Sequence, residues 1–309
     1  MKTYLRLLLI LSLSSFLAVF AAIGIIDRIN SSSTTTTTDF VDTTEEDSYV
    51  IAAVGDISCS ADQRKSANYP CVDDKVADLV TSVTPDYFVP LGDLQYNSAT
   101  YSRLTGIYHK TWGHLYDITL PIPGNHEYSD GGRANGYFKY FPHIARPGYY
   151  EKSINDKWML VALNTSDDCQ YLSCAKGSDQ YNWLLDVLAR NYNKCVIVAT
   201  HHPRYSSGVH GNGDFMQNIW SLLERYHVPL VLSGHDHNYE RFNTSPVQFV
   251  VGTGGKDLRR VKEGNPKSAF LSNKHHGALF LNIVGSTVNA NFMDIDGEVI
   301  DSSVVNCTL

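Results

Sequence analysis

Long runs of basic residues are missing from this 309-residue sequence. A nucleic-acid binder that works by releasing counterions is therefore not expected. A second long apolar run is missing too. Leu7–Ile26 carries no charge and follows Lys2 and Arg6, and nothing like it recurs. One possible membrane span remains, and a membrane protein with several spans is excluded. No Cys-x-x-Cys pair occurs, which argues against a thiolate metal site. No internal repeat is visible. Charged residues make up only 18% of the chain and hydrophobic residues 43%. That balance is globular and excludes a disordered or collagen-like chain.

The apolar start has a basic beginning and small residues at Ala22 and Gly24, as a cleaved signal peptide would. Its length equally suits an uncleaved signal anchor and single-span membrane anchorage. Both readings of residues 1–26 put the rest of the chain in the secretory pathway or outside the cell. Residues 27–48 are rich in Ser and Thr and then acidic, a disordered linker or stalk too polar to pack. Asn30, Asn164, Asn243 and Asn306 each begin a glycosylation sequon. Six cysteines suggest disulfides in an exported chain. Short loops favour Cys59–Cys71 and Cys169–Cys174, leaving Cys195–Cys307. The formal charge is −7. Removing residues 1–26 takes away Lys2 and Arg6 and no acid, so the remainder is two units more negative. An anionic substrate would need a local positive centre.

Residues 49–309 read as one catalytic domain. Short β-rich apolar runs recur at Tyr49–Val54, Tyr87–Leu91, Trp158–Leu163, Val196–Ala199, Leu230–Leu232 and Phe249–Val251. Helical periodicity appears in Asp73–Val83, Asp179–Ala189 and Phe215–Tyr226. The tail gives strands at Ala278–Val284, Thr287–Met293 and Glu298–Ser302. Alternation followed by a strand-only tail predicts an α/β fold of two mixed sheets with helices outside.

Polar residues able to bind metal follow the apolar runs. Gly55-Asp56, Gly92-Asp93-Leu94-Gln95-Tyr96, Gly124-Asn125-His126-Glu127, His201-His202-Pro203 and Gly234-His235-Asp236-His237 each come after one. Ligands of α/β sheets bind beyond the carboxyl ends of strands, so five such loops can surround one centre. Asp56, Asp93, Tyr96, Asn125, His201, His235 and His237 offer carboxylate, phenolate, amide and imidazole donors. They are too many for one tetrahedral zinc. They divide over two ions if one carboxylate bridges, and two such ions about 3.5–4 Å apart suit in-line phosphoryl displacement.

The blocks GDIS, GDLQY, GNHE, THHP and GHDHNYER resemble the signature blocks of the calcineurin-like metallophosphoesterases. Tyr96, three residues after Asp93, narrows the resemblance to purple-acid-phosphatase-like members. The strings HHPRYSSGVHG, GHDHNYERF and FVVGTGG resemble secreted single-domain phosphatases of that group. Ser58 stands where the family block usually has glycine. The resemblance implies a four-layer α/β/β/α sandwich. It implies a first ion, Fe(III), on Asp56, Asp93, Tyr96 and His237. A second ion, Zn, Mn or Fe(II), would sit on Asp93, Asn125, His201 and His235, with Asp93 bridging.

The expected reaction is hydrolysis of a small phosphate monoester by metal-bound hydroxide. His126 is the candidate acid for the leaving alkoxide, with Glu127 able to orient or protonate it. Asn125, His202 and His210 are candidate substrate-binding residues, and His202 also stands as a candidate catalytic one. Arg204 reaches either substrate or a structural salt bridge. Tyr239-Glu240-Arg241 is expected to support the loop carrying His235 and His237. The other histidines read as ordinary. The rival readings are a phosphodiesterase on nucleotides or phospholipid headgroups using the same centre, and a non-catalytic surface module on a stalk.

Overall fold

The computed structural model describes residues 47–63, 71–262 and 264–308. The apolar leader (1–26), almost all of the polar linker and the Asn30 sequon lie outside the described residues. The first half of the fold comprises β1 (Ser48–Val54), α1 (Asp73–Val83), β2 (Tyr87–Pro90), α2 (Tyr101–Arg103), α3 (His109–Trp112), α4 (Asn125–Tyr128), α5 (Asn135–Tyr140), β3 (Tyr150–Ser153), β4 (Trp158–Ala162) and α6 (Asp179–Arg190). The second comprises β5 (Cys195–Ala199), α7 (Gln217–Arg225), β6 (Leu230–Ser233), β7 (Tyr239–Phe242), β8 (Val247–Val251), β9 (Ser268–Ser272), β10 (Gly277–Val284), β11 (Thr287–Asp294) and β12 (Val299–Asn306).

Two mixed sheets form, as the alternation followed by a strand-only tail predicts. The smaller runs β12-β11-β10-β1-β2, and the larger runs β3-β4-β5-β6-β8-β7-β9. β1 and β2 are parallel, as are β4, β5, β6 and β8 in succession. The tail strands pair antiparallel onto β1.

Side chains alternate along the larger sheet and so build two cores. Leu160, Ala162, Ile197, Ala199, Leu230 and Leu232 share one cluster with Ile51, Ala53, Leu279 and Leu281 of the smaller sheet. Their neighbours Met159, Val161, Val196, Val198 and Val231 pack with Leu184, Val187, Leu188, Ile219, Trp220 and Leu223 of α6 and α7. Helices therefore cover the outer face of the larger sheet. α1 turns Val76, Ala77, Leu79 and Val80 inward and packs against β10. The Ser178 hydroxyl caps α6 by accepting from the Tyr181 N–H at 3.3 Å, an interaction worth about 1 kcal/mol.

Three disulfides form, Cys59–Cys71, Cys169–Cys174 and Cys195–Cys307, as the loop lengths favoured. The last joins β5 of the larger sheet to the residue after β12 of the smaller. A second tie lies nearby. Asp301 of β12 accepts from Arg241 Nε at 2.7 Å, Arg241 Nη2 at 3.0 Å and the Tyr239 hydroxyl at 2.8 Å. Tyr239 and Arg241, which follow the His235–His237 loop in β7, thus bind the two sheets to each other.

β3, β7 and β9 were not foreseen. β3 and β9 are sheet edges with polar or half-exposed side chains, so they lack a buried apolar run. α7 starts two residues later than the periodicity predicts, after a 3₁₀ turn at Asp214–Met216.

Candidate metal centre

Four of the five expected loops leave carboxyl ends of strands. Asp56 follows β1, Asp93 follows β2, His201 follows β5, and His235 and His237 follow β6. The fifth, carrying Asn125 and His126, follows an extended segment laid along β2. There the Leu120 N–H donates to the Phe88 carbonyl at 2.7 Å, and the Ile122 N–H to the Pro90 carbonyl at 3.0 Å. The loops are stitched together, by one bond between the sheets and one within the larger sheet. Gly55 N–H donates to the Val251 carbonyl at 2.8 Å and Gly234 N–H to the His201 carbonyl at 2.9 Å.

Asp56, Asp93 and His235 all have positive φ, 60°, 53° and 70°. Such left-handed backbone is uncommon outside glycine and costs about 1–3 kcal/mol per residue. Here it turns three donor side chains inward. Gly124 leaves them room. A Cβ there would lie 2.3 Å from Asp93 Oδ1 and 2.5 Å from Asp93 N.

The seven expected donors come together as two sets sharing Asp93. In the first, Tyr96 Oη lies 2.7 Å from Asp56 Oδ1, 2.9 Å from Asp93 Oδ2 and 3.1 Å from His237 Nε2. In the second, Asn125 Oδ1 lies 3.0 Å from His201 Nε2 and 3.1 Å from His235 Nδ1. Asp93 Oδ1 lies 3.4 Å from His201 Nε2. Each Asp93 oxygen therefore faces a different set.

Backbone carbonyls orient two of the rings. His201 Nδ1 donates to the Leu91 carbonyl at 2.7 Å, and His237 Nδ1 to the Asp257 carbonyl at 2.7 Å. In each neutral ring the other nitrogen, Nε2, carries a lone pair aimed at acidic or amide oxygens. Acceptors facing acceptors in a buried space repel unless a cation or proton lies between them. The donor set fits two cations on that ground.

Electrostatics agree. Burial pulls the His201 pKa down, but the Asp93 carboxylate, the Asp56 charge and the Leu91 carbonyl together push it up to about 9. Burial alone would raise Asp93. His201, then His126 through charge and backbone N–H, holds it well below the usual carboxylate range. Burial, then the Asp56 and Asp93 charges, pushes the Tyr96 phenol well above its ordinary value. Without metal, then, a proton on His201 does part of a cation's work and Tyr96 stays a neutral phenol.

His126 lies on the rim. Its Nδ1 donates to the Asn97 carbonyl at 2.6 Å, leaving Nε2 3.7 Å from Asp93 Oδ2. Glu127 does not touch it, contrary to expectation. Glu127 is buried and accepts from the backbone N–H groups of Asp93 at 2.9 Å, Leu94 at 2.9 Å and Gly124 at 2.6 Å. Burial and the Asp93 charge raise its pKa to about 7, against the pull of those amides. It clamps the Asp93 loop to the Asn125 loop.

His202 and His210 flank His235, each ring centroid 4.2 Å from it. His202 is buried, and its backbone N–H donates to Thr165 Oγ1 at 3.1 Å. Thr165 Oγ1 lies 3.1 Å from His202 Nδ1, and Asp168 Oδ1 lies 3.7 Å from its Nε2. Burial, then the His201 charge, holds His202 well below its ordinary pKa. His210 receives a hydrogen bond at 2.8 Å from Arg259 Nη1 to Nε2. Arg204 is structural, pairing with Asp214 at 2.8 Å and Gln217 at 2.7 Å. Ser58 is buried and donates to Asp73 Oδ2 at 2.9 Å, fixing the loop after Asp56. Glu240 accepts from Ser207 N at 2.8 Å and Ser207 Oγ at 2.6 Å, so it braces the His210 loop.

Sequence reasoning missed Thr165, Asp168, Asp257 and Arg259. Asp257 acts through its backbone carbonyl, which no side-chain pattern reveals. Thr165 and Asp168 sit just after β4, and their place after a strand was the available signal.

Residues 49–239 match the family model described as calcineurin-like phosphoesterase, and the chain belongs to that family. Among characterised relatives it is similar to purple acid phosphatase 22 of Arabidopsis thaliana, 27% identical over 258 residues, covering 64% of this chain and 58% of that one. Purple acid phosphatase 21 of the same plant is 34% identical over 122 residues, 33% of this chain and 28% of that one. An uncharacterized protein of Mycobacterium tuberculosis is 25% identical over 205 residues, 56% of this chain and 37% of that one. The chain thus spans well under two thirds of the curated relatives it matches. Its fold is similar to that of the Plasmodium protein GAP50, described as the anchor in the inner membrane complex. The TM-score is 0.70 and the identity 18%, over 85% of this chain and 90% of that one. The purple acid phosphatase PPD1 of yellow lupin gives a TM-score of 0.67 at 20% identity, over 84% of this chain and 54% of that one. Both likenesses concern the fold. The class is a calcineurin-like phosphoesterase, and within it the sequence is purple-acid-phosphatase-like.

Proposed function

We propose that the protein is a dinuclear-metal phosphatase that hydrolyses phosphate monoesters. The observation that carries the reading is the pair of four-donor sets sharing Asp93. A displayed non-catalytic module has no need of a second set or of a shared carboxylate. Asp56, Asp93, Tyr96 and His237 would hold one ion; Asp93, Asn125, His201 and His235 would hold the other. When bound, the ions supply positive charge to the phosphate oxygens and lower the pKa of water.

The chain's own groups do the rest. His202 and His210 donate hydrogen bonds to phosphate oxygens from either side of His235. Asn125 presents its amide N–H to the same phosphate while its Oδ1 faces the second ion. His126, fixed by Asn97 and open to the rim, gives a proton to the leaving alkoxide. The buried phenol of Tyr96 needs a strongly acidic ion to lose its proton, which favours Fe(III) in the first set, with Zn, Mn or Fe(II) in the second.

The three disulfides and the purple acid phosphatase relatives support a secretory-pathway location, with residues 1–26 as signal peptide or anchor and 27–48 as stalk. Asn243 is exposed and suits glycosylation, whereas Asn164 is buried and donates to the Tyr128 hydroxyl and the Pro147 carbonyl, both at 2.7 Å. The deciding assay compares metal-loaded protein on p-nitrophenyl phosphate and on bis-p-nitrophenyl phosphate. The monoester is expected to be the faster substrate. A diester preference would replace this reading with a phosphodiesterase.

A further inference from the structure

His202 and His210 stand on either side of His235, and neither belongs to the two donor sets. Each ring makes one hydrogen bond, and in each case the partner lies outside those sets. A neutral imidazole has one N–H and one lone pair, so the partner of one nitrogen fixes what the other can do.

The His210 ring meets Arg259, whose Nη1 lies 2.8 Å from Nε2. A guanidinium is always charged and has donors only, so Nε2 must supply its lone pair. The proton of the ring then sits on Nδ1. Both partners are anchored through the main chain. Arg259 N–H donates to the His237 carbonyl at 3.0 Å, and the Arg259 carbonyl accepts from Asn273 Nδ2 at 3.1 Å. His210 N–H donates to Asp236 Oδ1 at 3.1 Å, and Asp236 is itself held by the Ser206 hydroxyl.

The His202 ring meets Thr165, which is buried. Thr165 Oγ1 accepts from His202 N–H at 3.1 Å and lies 3.1 Å from Nδ1 of the same residue. Among the described residues the Thr165 hydroxyl has no other acceptor, so its proton goes to Nδ1. Nδ1 supplies the lone pair here, and the ring proton sits on Nε2. That is the nitrogen 3.7 Å from the Asp168 carboxylate, which favours an N–H on that side. The two rings beside His235 are therefore opposite tautomers, each set from outside the metal ligands.

We infer that Thr165 and Arg259 are positioning residues that hold His202 as its Nε2–H form and His210 as its Nδ1–H form, so that each ring offers a substrate phosphate an N–H and no lone pair; for the phosphate this rests on the phosphatase reading. An ionised phosphate oxygen only accepts. In the other tautomer the free nitrogen would carry a lone pair and repel it.

The test uses the full chain. Nitrogen-15 NMR of the histidine side chains reads each tautomer, and on the metal-free chain it needs no turnover. His202→Gln and His210→Gln assign the signals. The expected result is Nε2–H for His202 and Nδ1–H for His210. Arg259→Met should spread His210 over both forms, and Arg259→Lys, which keeps a donor, should restore the Nδ1–H form. Thr165→Val should spread His202 in the same way, and Thr165→Ser should restore it. An Nε2–H form of His210 in the wild type, or one form unmoved by Arg259→Met, overturns the role of Arg259. In the loaded enzyme Arg259→Met should raise KM for p-nitrophenyl phosphate about fivefold at unchanged metal content, with most of the loss recovered in Arg259→Lys. In a His210→Ala background the same substitution should change KM by less than about twofold. An equal rise in both backgrounds overturns the positioning role, because Arg259 would then act without His210. Tautomers that respond as stated, in a chain that hydrolyses no ester when loaded, would support the positioning and sink the phosphatase reading.

Discussion

Asp93 is the side chain on which the account turns, because each of its oxygens faces a different donor set. Asp93→Asn removes the shared charge and should abolish hydrolysis and lower the content of both metals, read by elemental analysis. Retention of both metals at full rate contradicts the bridging role. Tyr96→Phe should leave the fold intact and bleach the visible absorption of an iron-loaded protein. Glu127 tests a structural claim. Its two oxygens accept three backbone N–H groups. Glu127→Gln places an amide NH₂ against an N–H and should cost about 1–3 kcal/mol in urea unfolding. Unchanged stability would show that the clamp is not needed.

The elements bring these residues together through strand ends and tight turns. Gly124→Ala pushes a methyl group into Asp93 Oδ1 and N. It should lower metal content and activity and also cost about 1–3 kcal/mol of stability, because the methyl meets buried backbone at Asp93 N that cannot move aside. The two-sheet tie is separable from the chemistry. Replacing Cys195 and Cys307 by Ser opens a long covalent loop and should cost about 2–5 kcal/mol while sparing the metal sets. Loss of metal at unchanged stability would contradict that separation.

The donors were legible because each follows a buried apolar run, and a buried strand leaves little choice about where the next residues emerge. α1 was legible to the residue, since Val76, Leu79, Val80 and Val83 repeat on one face. The stretch from Tyr101 to Tyr140 was not. Its helices are short turns interrupted by a π turn at Leu104–Tyr108 and by Gly113, with no sustained apolar stripe. β7 hid inside a motif whose polar letters suggested a loop, although Tyr239 and Phe242 are buried. Glu127 and Asp257 were misread or missed because their contacts run through the main chain. Arg259 was invisible because its meaning comes from His210, which is far away in sequence.

At the scale of the whole molecule, net charge and local charge point in opposite directions. The chain is acidic, yet two of its buried acids, Asp56 and Asp93, are donors suited to cations. The metal-free protein should therefore titrate differently from the loaded one. His201 is raised to about 9 in the fold, against an ordinary value near 6.5. Its contribution to stability is fully present below pH about 6.5 and is lost as pH rises through about 9. Glu127, raised to about 7, acts in the same direction at lower pH, since the folded state holds its proton longer than the unfolded chain. The chelated protein should melt at progressively lower temperature from pH about 7 to 9, where His201 dominates; at lower pH the buried rings of His202 and His235, held well below their ordinary pKa, work against Glu127. The loaded protein should not follow it, and loading at neutral pH should release a proton from His201, measurable by calorimetry in buffers of different ionisation enthalpy.

Two ions sharing Asp93 leave a signature that can be read directly. Elemental analysis of the purified full chain, paired with its visible spectrum and with Asp93→Asn, tests it most directly. The expected result is two metal ions per chain, an absorption band that Tyr96→Phe removes, and loss of both ions in Asp93→Asn. A single ion per chain, or a variant that keeps both, would contradict it.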